Sequence, residues 1–219
     1  MLCHNPPEEQ AMRRLSILTL ALAAGLLAAQ ARAATIIDEW SSVTAPPAPV
    51  LKPVTLDPKT TAVLVLDLVR QGCNAQRRPR CLPTVAPVQA MLTRARAAGA
   101  SVIYSLVVGS TAADILPGVA RVGDEPTVTS GTDKFLNTDL ADILKAHGIS
   151  RVVIVGTAAN GAVLTTATEA ALRGLQVVVA VDGVSDTTPY AEQYTAWDLI
   201  NAPVIAPRVT LSRTDIITF

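Results

Sequence analysis

The stretch Arg151 to Gly174, RVVIVGTAANGAVLTTATEAALRG, decides the fold. It opens on a β-branched run (Val152, Val153, Ile154, Val155), breaks at Gly156 and Gly161, and continues as an Ala/Leu/Thr segment to Gly174. An apolar run closed by glycine reads as a buried strand, and an Ala/Leu-rich segment ended by glycine reads as a helix with its stop. In α/β folds the turn between such a strand and helix faces the crevice at the carboxyl ends of the strands, where ligands bind.

Working outward, Thr61 to Asp67 (TAVLVLD) is a continuous apolar run, as expected of a strand covered on both faces. A basic loop follows, then a helix from Thr84 to Ala98 closed by Gly99, and a strand from Ser101 to Val107. Thr138 to His147 reads as a helix capped by Thr138, with Leu140, Ile143 and Leu144 as its apolar stripe and Gly148 as its stop. Gln176 to Asp182 is a further buried strand, Tyr190 to Asn201 a helix, and Val209 to Leu211 a last short strand. Gly109 to Ser130, rich in Gly, Pro, Asp and Thr, shows no clear period. Strands alternating with helices imply right-handed crossovers and a mostly parallel sheet between two helical layers. Neither an internal repeat nor a second domain is visible, so residues 59–219 are expected to form one domain.

Ahead of it, residues 34–58 carry Ala45-Pro46-Pro47-Ala48-Pro49 and Lys52-Pro53, a stretch that cannot hold a helix and reads as an extended surface arm. Residues 1–33 read as an address. Arg13 and Arg14 form a basic start, Leu15 to Ala29 an apolar core, and Ala31-Arg32-Ala33 a small-x-small cleavage signal. The signal begins naturally at Met12, which offers an alternative start. The core of about fifteen residues falls short of the roughly 20 that span a bilayer, which favours an exported protein over a membrane-anchored one. The periplasm and the medium are both open as destinations.

Eighteen basic residues balance 18 acidic ones, and aromatics make up 3% of the chain, so neither an electrostatic footprint nor stacking surfaces for nucleic acid are present. A small-molecule ligand is expected, and a homo-oligomer is left open. Removal of the first 33 residues leaves Cys73 and Cys81, eight positions apart in QGCNAQRRPRCLP. In an oxidising compartment such a pair is expected to form a disulfide. Cys73 as a displaced nucleophile is the rival reading, with no histidine nearby to activate it. Arg70, Arg77, Arg78 and Arg80 flank these cysteines, either as a solvated loop or as a lid that attracts an anion.

The strand ending in Asp67, the run FLNTDLADILKAHGISRVVIVG, the turn TAANGAV, the helix TTATEAALRG and the following VVVAVDGVSD together resemble the isochorismatase-like cysteine hydrolases. The resemblance covers nearly all of residues 61–219 and implies a three-layer α/β sandwich around a six-stranded, largely parallel sheet. It also implies a site of Asp, Lys and Cys, in which the Asp exchanges protons, the Lys holds charge and the Cys attacks carbon. Asp67 matches the first position. Counted from Phe135 and Thr138, the family's Lys would align near Thr129, so Lys134 sits about five residues late. It either reaches the crevice through a rearranged loop or is a solvated charge beside Asp133. The Cys position is occupied by Ala162, whose methyl group cannot attack a carbonyl. Family members that act on isochorismate also lack this Cys, which keeps non-covalent hydrolysis within reach. The resemblance further implies a non-proline cis peptide, here Thr157–Ala158. Amides of Asn160, Gly161 and Ala162 at a helix N-terminus would be available to hold an oxyanion or carboxylate.

Other chemistries find less support. Gly156 and Gly161 have the glycine spacing of a phosphate loop, but Ala162-Val163 stands where Lys-Ser/Thr is needed. Neither G-x-G-x-x-G nor G-x-S-x-G occurs. His147, the one histidine after residue 33, suits a helix C-terminus better than catalysis, and the histidines of a zinc site are missing. No metal or cofactor is therefore expected. The sequence points to an exported hydrolase of a small anionic metabolite, with Asp67 and Lys134 as catalytic residues. The alternative is a catalytically silent binding protein that keeps the crevice.

Overall fold

Every residue of the run Thr61–Leu66 is buried, and its side chains alternate between two cores: Ala62, Leu64 and Leu66 enter one, Val63 and Val65 the other. That alternation makes the molecule three layers deep. The computed structural model of the chain describes residues 33–219; the expected signal segment, Ala33 excepted, lies outside the described residues. In chain order the elements are α1 (Ile36–Glu39), β1 (Val54–Thr55), β2 (Thr61–Leu66), α2 (Val85–Ala98), β3 (Ser101–Leu106), β4 (Thr127–Thr129) and α3 (Leu140–Ala146). They continue with β5 (Arg151–Thr157), α4 (Leu164–Leu172), β6 (Gln176–Ser185), α5 (Pro189–Asn201), β7 (Val209–Ser212) and β8 (Ile217–Thr218).

Six strands form a parallel sheet in the order β4-β3-β2-β5-β6-β7. On one face, α2 contributes Val88, Met91, Leu92 and Ala95 to a core with Val63, Val65, Val153 and Val155. On the other, α3, α4 and α5 contribute Leu140, Leu144, Ala167, Ala170 and Leu199 to a core with Leu64, Val152, Ile154 and Val179. Each fully buried Val or Leu contributes roughly 1.5–3 kcal/mol, so the sheet's two faces hold most of the stabilising burial. Gly99 closes α2 with φ 84°, a left-handed cap available to glycine without steric cost.

The chain divides into two units, at Pro46. In the first, the described residues hold α1, a single helical turn whose Thr35 amide and hydroxyl both donate to Asp38 Oδ2 at 2.8 Å. This turn precedes the prolines, inside the segment read as an extended arm. In the second unit, the remainder of that segment runs along the C-terminal strands. The Lys52 amide donates to the Leu211 carbonyl at 2.9 Å, the Ser212 hydroxyl donates to the Lys52 carbonyl at 2.7 Å, and β1 pairs in parallel with β8.

Three local readings change. The patternless Gly109 to Ser130 region contains β4, whose three residues are too few to show a period, after two 3₁₀ turns at Ala112–Asp114 and Pro117–Val119. The helix read from Thr138 is regular from Leu140 with Asp139 at its cap, while the Thr138 hydroxyl accepts the Leu140 amide at 3.3 Å and donates to the Lys134 carbonyl at 2.6 Å. The helix after the diagnostic turn is preceded by a π-helical turn, Ala159–Val163, which widens the backbone next to the crevice.

Candidate active site

Chain order reverses between β2 and β5: β2, β3 and β4 step toward one edge, and β5, β6 and β7 toward the other. Such a switch point opens a crevice at the carboxyl ends of the strands. Gly156 lets the two ends meet there. Its φ is 132°, and a Cβ on it would lie 2.0 Å from the Leu66 carbonyl oxygen. A cavity of about 450 Å³ lies at this edge, within the range of small-molecule sites. Its wall includes Asp67 after β2, Ser130 and Gly131 after β4, Thr157 at the end of β5, and Ala158, Gly161 and Ala162 after it.

Asp67 directly follows β2 with φ 54°, a left-handed conformation that Asp tolerates better than most residues. The carboxylate is held on both sides. Ser105 on β3 donates its hydroxyl to Oδ1 at 2.7 Å, and Lys134 Nζ donates to Oδ2 at 2.7 Å. Lys134 is fully buried, and its remaining two protons go to the carbonyls of Gly131 at 2.6 Å and Ser130 at 3.3 Å. An ammonium has three donors, so none is left over for a ligand. Lys134 is also absent from the cavity wall. Of the two readings of Lys134, the geometry matches the rearranged loop, which brings the ammonium to Asp67 at the crevice. It is not a solvated charge: the side chain is fully buried, and Asp133 accepts the Phe135 amide at 2.8 Å. Burial pushes the Asp67 carboxyl above its ordinary value, opposed by Lys134, Ser105 and Arg78.

The Thr157–Ala158 peptide is cis. Thr157 donates its hydroxyl to the Ser185 carbonyl at 2.9 Å, tying the turn to the end of β6. The three amides expected at the cavity separate here. Asn160 N–H donates to Asp186 Oδ2 at 3.0 Å, and Gly161 N–H donates to the Ala158 carbonyl at 3.2 Å. Sequence reading put Asn160 at the pocket; it is exposed and outside the cavity wall, and its amide ties the turn to Asp186 instead. Ala162 is 4% exposed and belongs to the wall. Asp186 and Ser105 were not singled out from sequence. Their one signal is a polar residue in or directly after an apolar strand.

Cys73 and Cys81 form a disulfide with their Cα atoms 5.3 Å apart, and both are buried. Between them the Asn74 side chain accepts the amides of Gln76 at 3.1 Å and Arg77 at 2.8 Å. The four arginines of this region divide by partner. Arg70 donates to the Ala113 carbonyl at 2.7 Å and Arg80 Nε to Glu192 at 2.8 Å, whereas Arg77 and Arg78 enter the cavity wall. Among the described residues, no three His, Cys, Asp or Glu side chains cluster as a metal site.

A family model described as an isochorismatase domain matches residues 61–209. Streptothricin hydrolase of Streptomyces noursei is 29% identical over 197 residues, 76% of this chain and 73% of its own length. A secreted isochorismatase effector of Verticillium dahliae is 26% identical over 146 residues, 61% of this chain and 77% of that protein. Among solved structures, a cysteine hydrolase from Pseudomonas syringae pv. phaseolicola superposes with a TM-score of 0.65 at 21% identity, covering 77% of this chain and 94% of that one.

Proposed function

The chain belongs to the isochorismatase family of hydrolases, and from that premise we propose that it hydrolyses a small anionic metabolite, using Asp67 as acid and base and no covalent cysteine. The observation that carries this reading is the Asp67 carboxylate, clamped by Ser105 and Lys134 while still exposed to the cavity. A carboxyl whose proton affinity is raised by burial exchanges protons at lower cost than an ordinary one. The Asp67 carboxylate takes a proton from the attacking water and passes it to the substrate's leaving group, so its charge is restored at the end of the cycle. Lys134 is a positioning residue: its charge limits the rise in proton affinity and holds the carboxylate in one orientation.

The cavity wall contains no sulfur, and both cysteines of the described residues are joined to each other. Thiolate attack has no nucleophile to draw on, in keeping with Ala162 at the family's Cys position. Arg77 and Arg78 in the wall support an anionic substrate. Export fits the disulfide and the secreted fungal relative.

A metabolite screen read by mass spectrometry tests the proposal. The Asp67→Asn variant should lose turnover by about 10²–10⁴-fold, with KM changed far less. Equal turnover in the variant and the parent protein refutes the role of Asp67.

A further inference from the structure

We propose that Arg78 is the substrate-anchoring residue of this cavity, its guanidinium taking a carboxylate or phosphate group of the ligand. The proposal rests on the reading of the cavity as the reaction site and deepens it, by naming the group that is recognised and the residue that recognises it.

Three charged side chains stand in the cavity wall: Asp67, Arg77 and Arg78. Asp67 is already neutralised by Lys134 at 2.7 Å. The two arginines make no ion pair among the described residues, whereas Arg80 on the same loop is tied to Glu192. The wall therefore holds two cationic groups outside any salt bridge; the carboxylate that Arg78 influences, Asp67, is already paired with Lys134. An anion that enters it gains attraction strengthened by partial exclusion of water.

Arg78 is the better placed of the two. Arg77 is exposed, while Arg78 is half-buried. Arg78 Nη1 makes one long hydrogen bond, to the Gly72 carbonyl at 3.4 Å, and its buried Nε has no partner among the described residues. A buried donor left unpaired costs folding stability, and native proteins seldom keep one without a use. The planar guanidinium carries five donors, of which Gly72 engages one, and its fork geometry matches two oxygens of a carboxylate or phosphate.

The loop also holds the Arg78 backbone in advance. The Arg78 amide donates to the Asn74 carbonyl at 3.0 Å, the Cys81 amide donates to the Arg78 carbonyl at 3.0 Å, and the Cys73–Cys81 bond closes the ring. Little chain entropy remains to be lost on binding.

Calorimetric titration of the purified protein with benzoate, phenyl phosphate and neutral benzamide tests the assignment without requiring turnover. At least one of the two anions should bind about ten-fold or more tighter than benzamide, with the advantage falling as salt rises. Arg78→Gln should remove the anion's advantage and leave benzamide affinity unchanged. Arg78→Lys, which keeps the charge and loses the fork, should retain part of it. Asp67→Asn should keep the advantage, so loss of the catalytic role of Asp67 and loss of this anchor are read separately. Three results overturn the proposal: benzamide binding as tightly as both anions, no binding of either anion, or an undiminished advantage in Arg78→Gln.

Discussion

Lys134→Met puts the buried ion pair to a quantitative test. Methionine keeps most of the apolar stem and removes the ammonium, whose three protons bind Asp67, Gly131 and Ser130. Removing one partner of a buried pair costs about 3–5 kcal/mol, because the other charge is left without compensation. Part of this cost is independent of pH, since two carbonyls lose a donor. The remainder follows Asp67. Burial already holds its carboxyl above the ordinary value, and Lys134 is the largest influence pulling it back. Without Lys134 the folded-state value rises further. A carboxyl raised in the folded state makes no difference to stability below the unfolded value of about 3.9, where both states are protonated. Stability then falls as pH climbs through the gap between the two values, and the whole deficit is present above it. The variant should therefore be more destabilised at pH 7 than at pH 4.5. Urea unfolding followed by circular dichroism reads both conditions. With a slope of about 2 kcal/mol/M, the midpoint at pH 7 should drop by roughly 2 M. The Asp67→Asn, Lys134→Met double variant, which leaves neither charge, should be more stable than the two single deficits sum to. A deficit under about 1 kcal/mol at pH 7, or one equal at both pH values, refutes this account of the pair.

Two further outcomes are expected, beyond those given for Asp67 and Arg78. In protein that begins at Ala34, thiol titration of the unfolded, unreduced chain should find no free thiol, and iodoacetamide should leave turnover intact. Two titrated thiols, or stoichiometric inactivation traced to Cys73, contradict the disulfide assignment. Gly156→Ala should destabilise by more than about 3 kcal/mol in the same urea assay, because its Cβ would lie 2.0 Å from the Leu66 carbonyl oxygen at a φ of 132°. A loss under about 1 kcal/mol would show that β2 and β5 separate easily at the cavity.

The central strands were legible because burial on both faces selects unbroken β-branched runs. TAVLVL and RVVIVGT are such runs, and they pair directly from Thr61 against Arg151 to Leu66 against Gly156. The sheet's outer parts were less so. β4 has three residues, of which Val128 alone is buried. β1 and β8 have two residues each and exist through their pairing, which links positions 163 apart in the chain. No local pattern encodes such a partner.

The site follows the same division. Asp67 could be found because a carboxylate directly after a buried strand is costly to desolvate, and the crevice at the strand's end is where that cost has a use. Arg78 could not be told from Arg70, Arg77 and Arg80 by residue type, since the distinction lies in its half-buried place at the cavity wall with a donor left unpartnered among the described residues. Asn160 and Ala162 sit two positions apart in one turn, yet Asp186 draws the first out of the cavity wall while the second stays in it. Lys134 is the sharpest case. Its offset of about five residues from the position near Thr129 left open whether it reaches the crevice or is a solvated charge, and the loop between them turns back on itself. The ammonium of Lys134 bonds the carbonyls of Ser130 and Gly131, the two residues that follow Thr129. Thr166 on α4 closes the return by accepting the Lys134 amide at 3.3 Å. The charge is thus brought back to the end of β4, beside Asp67, by a loop closed with its own side chain. Electrostatics constrains where the ammonium sits relative to the carboxylate, and leaves the number of residues used to deliver it free.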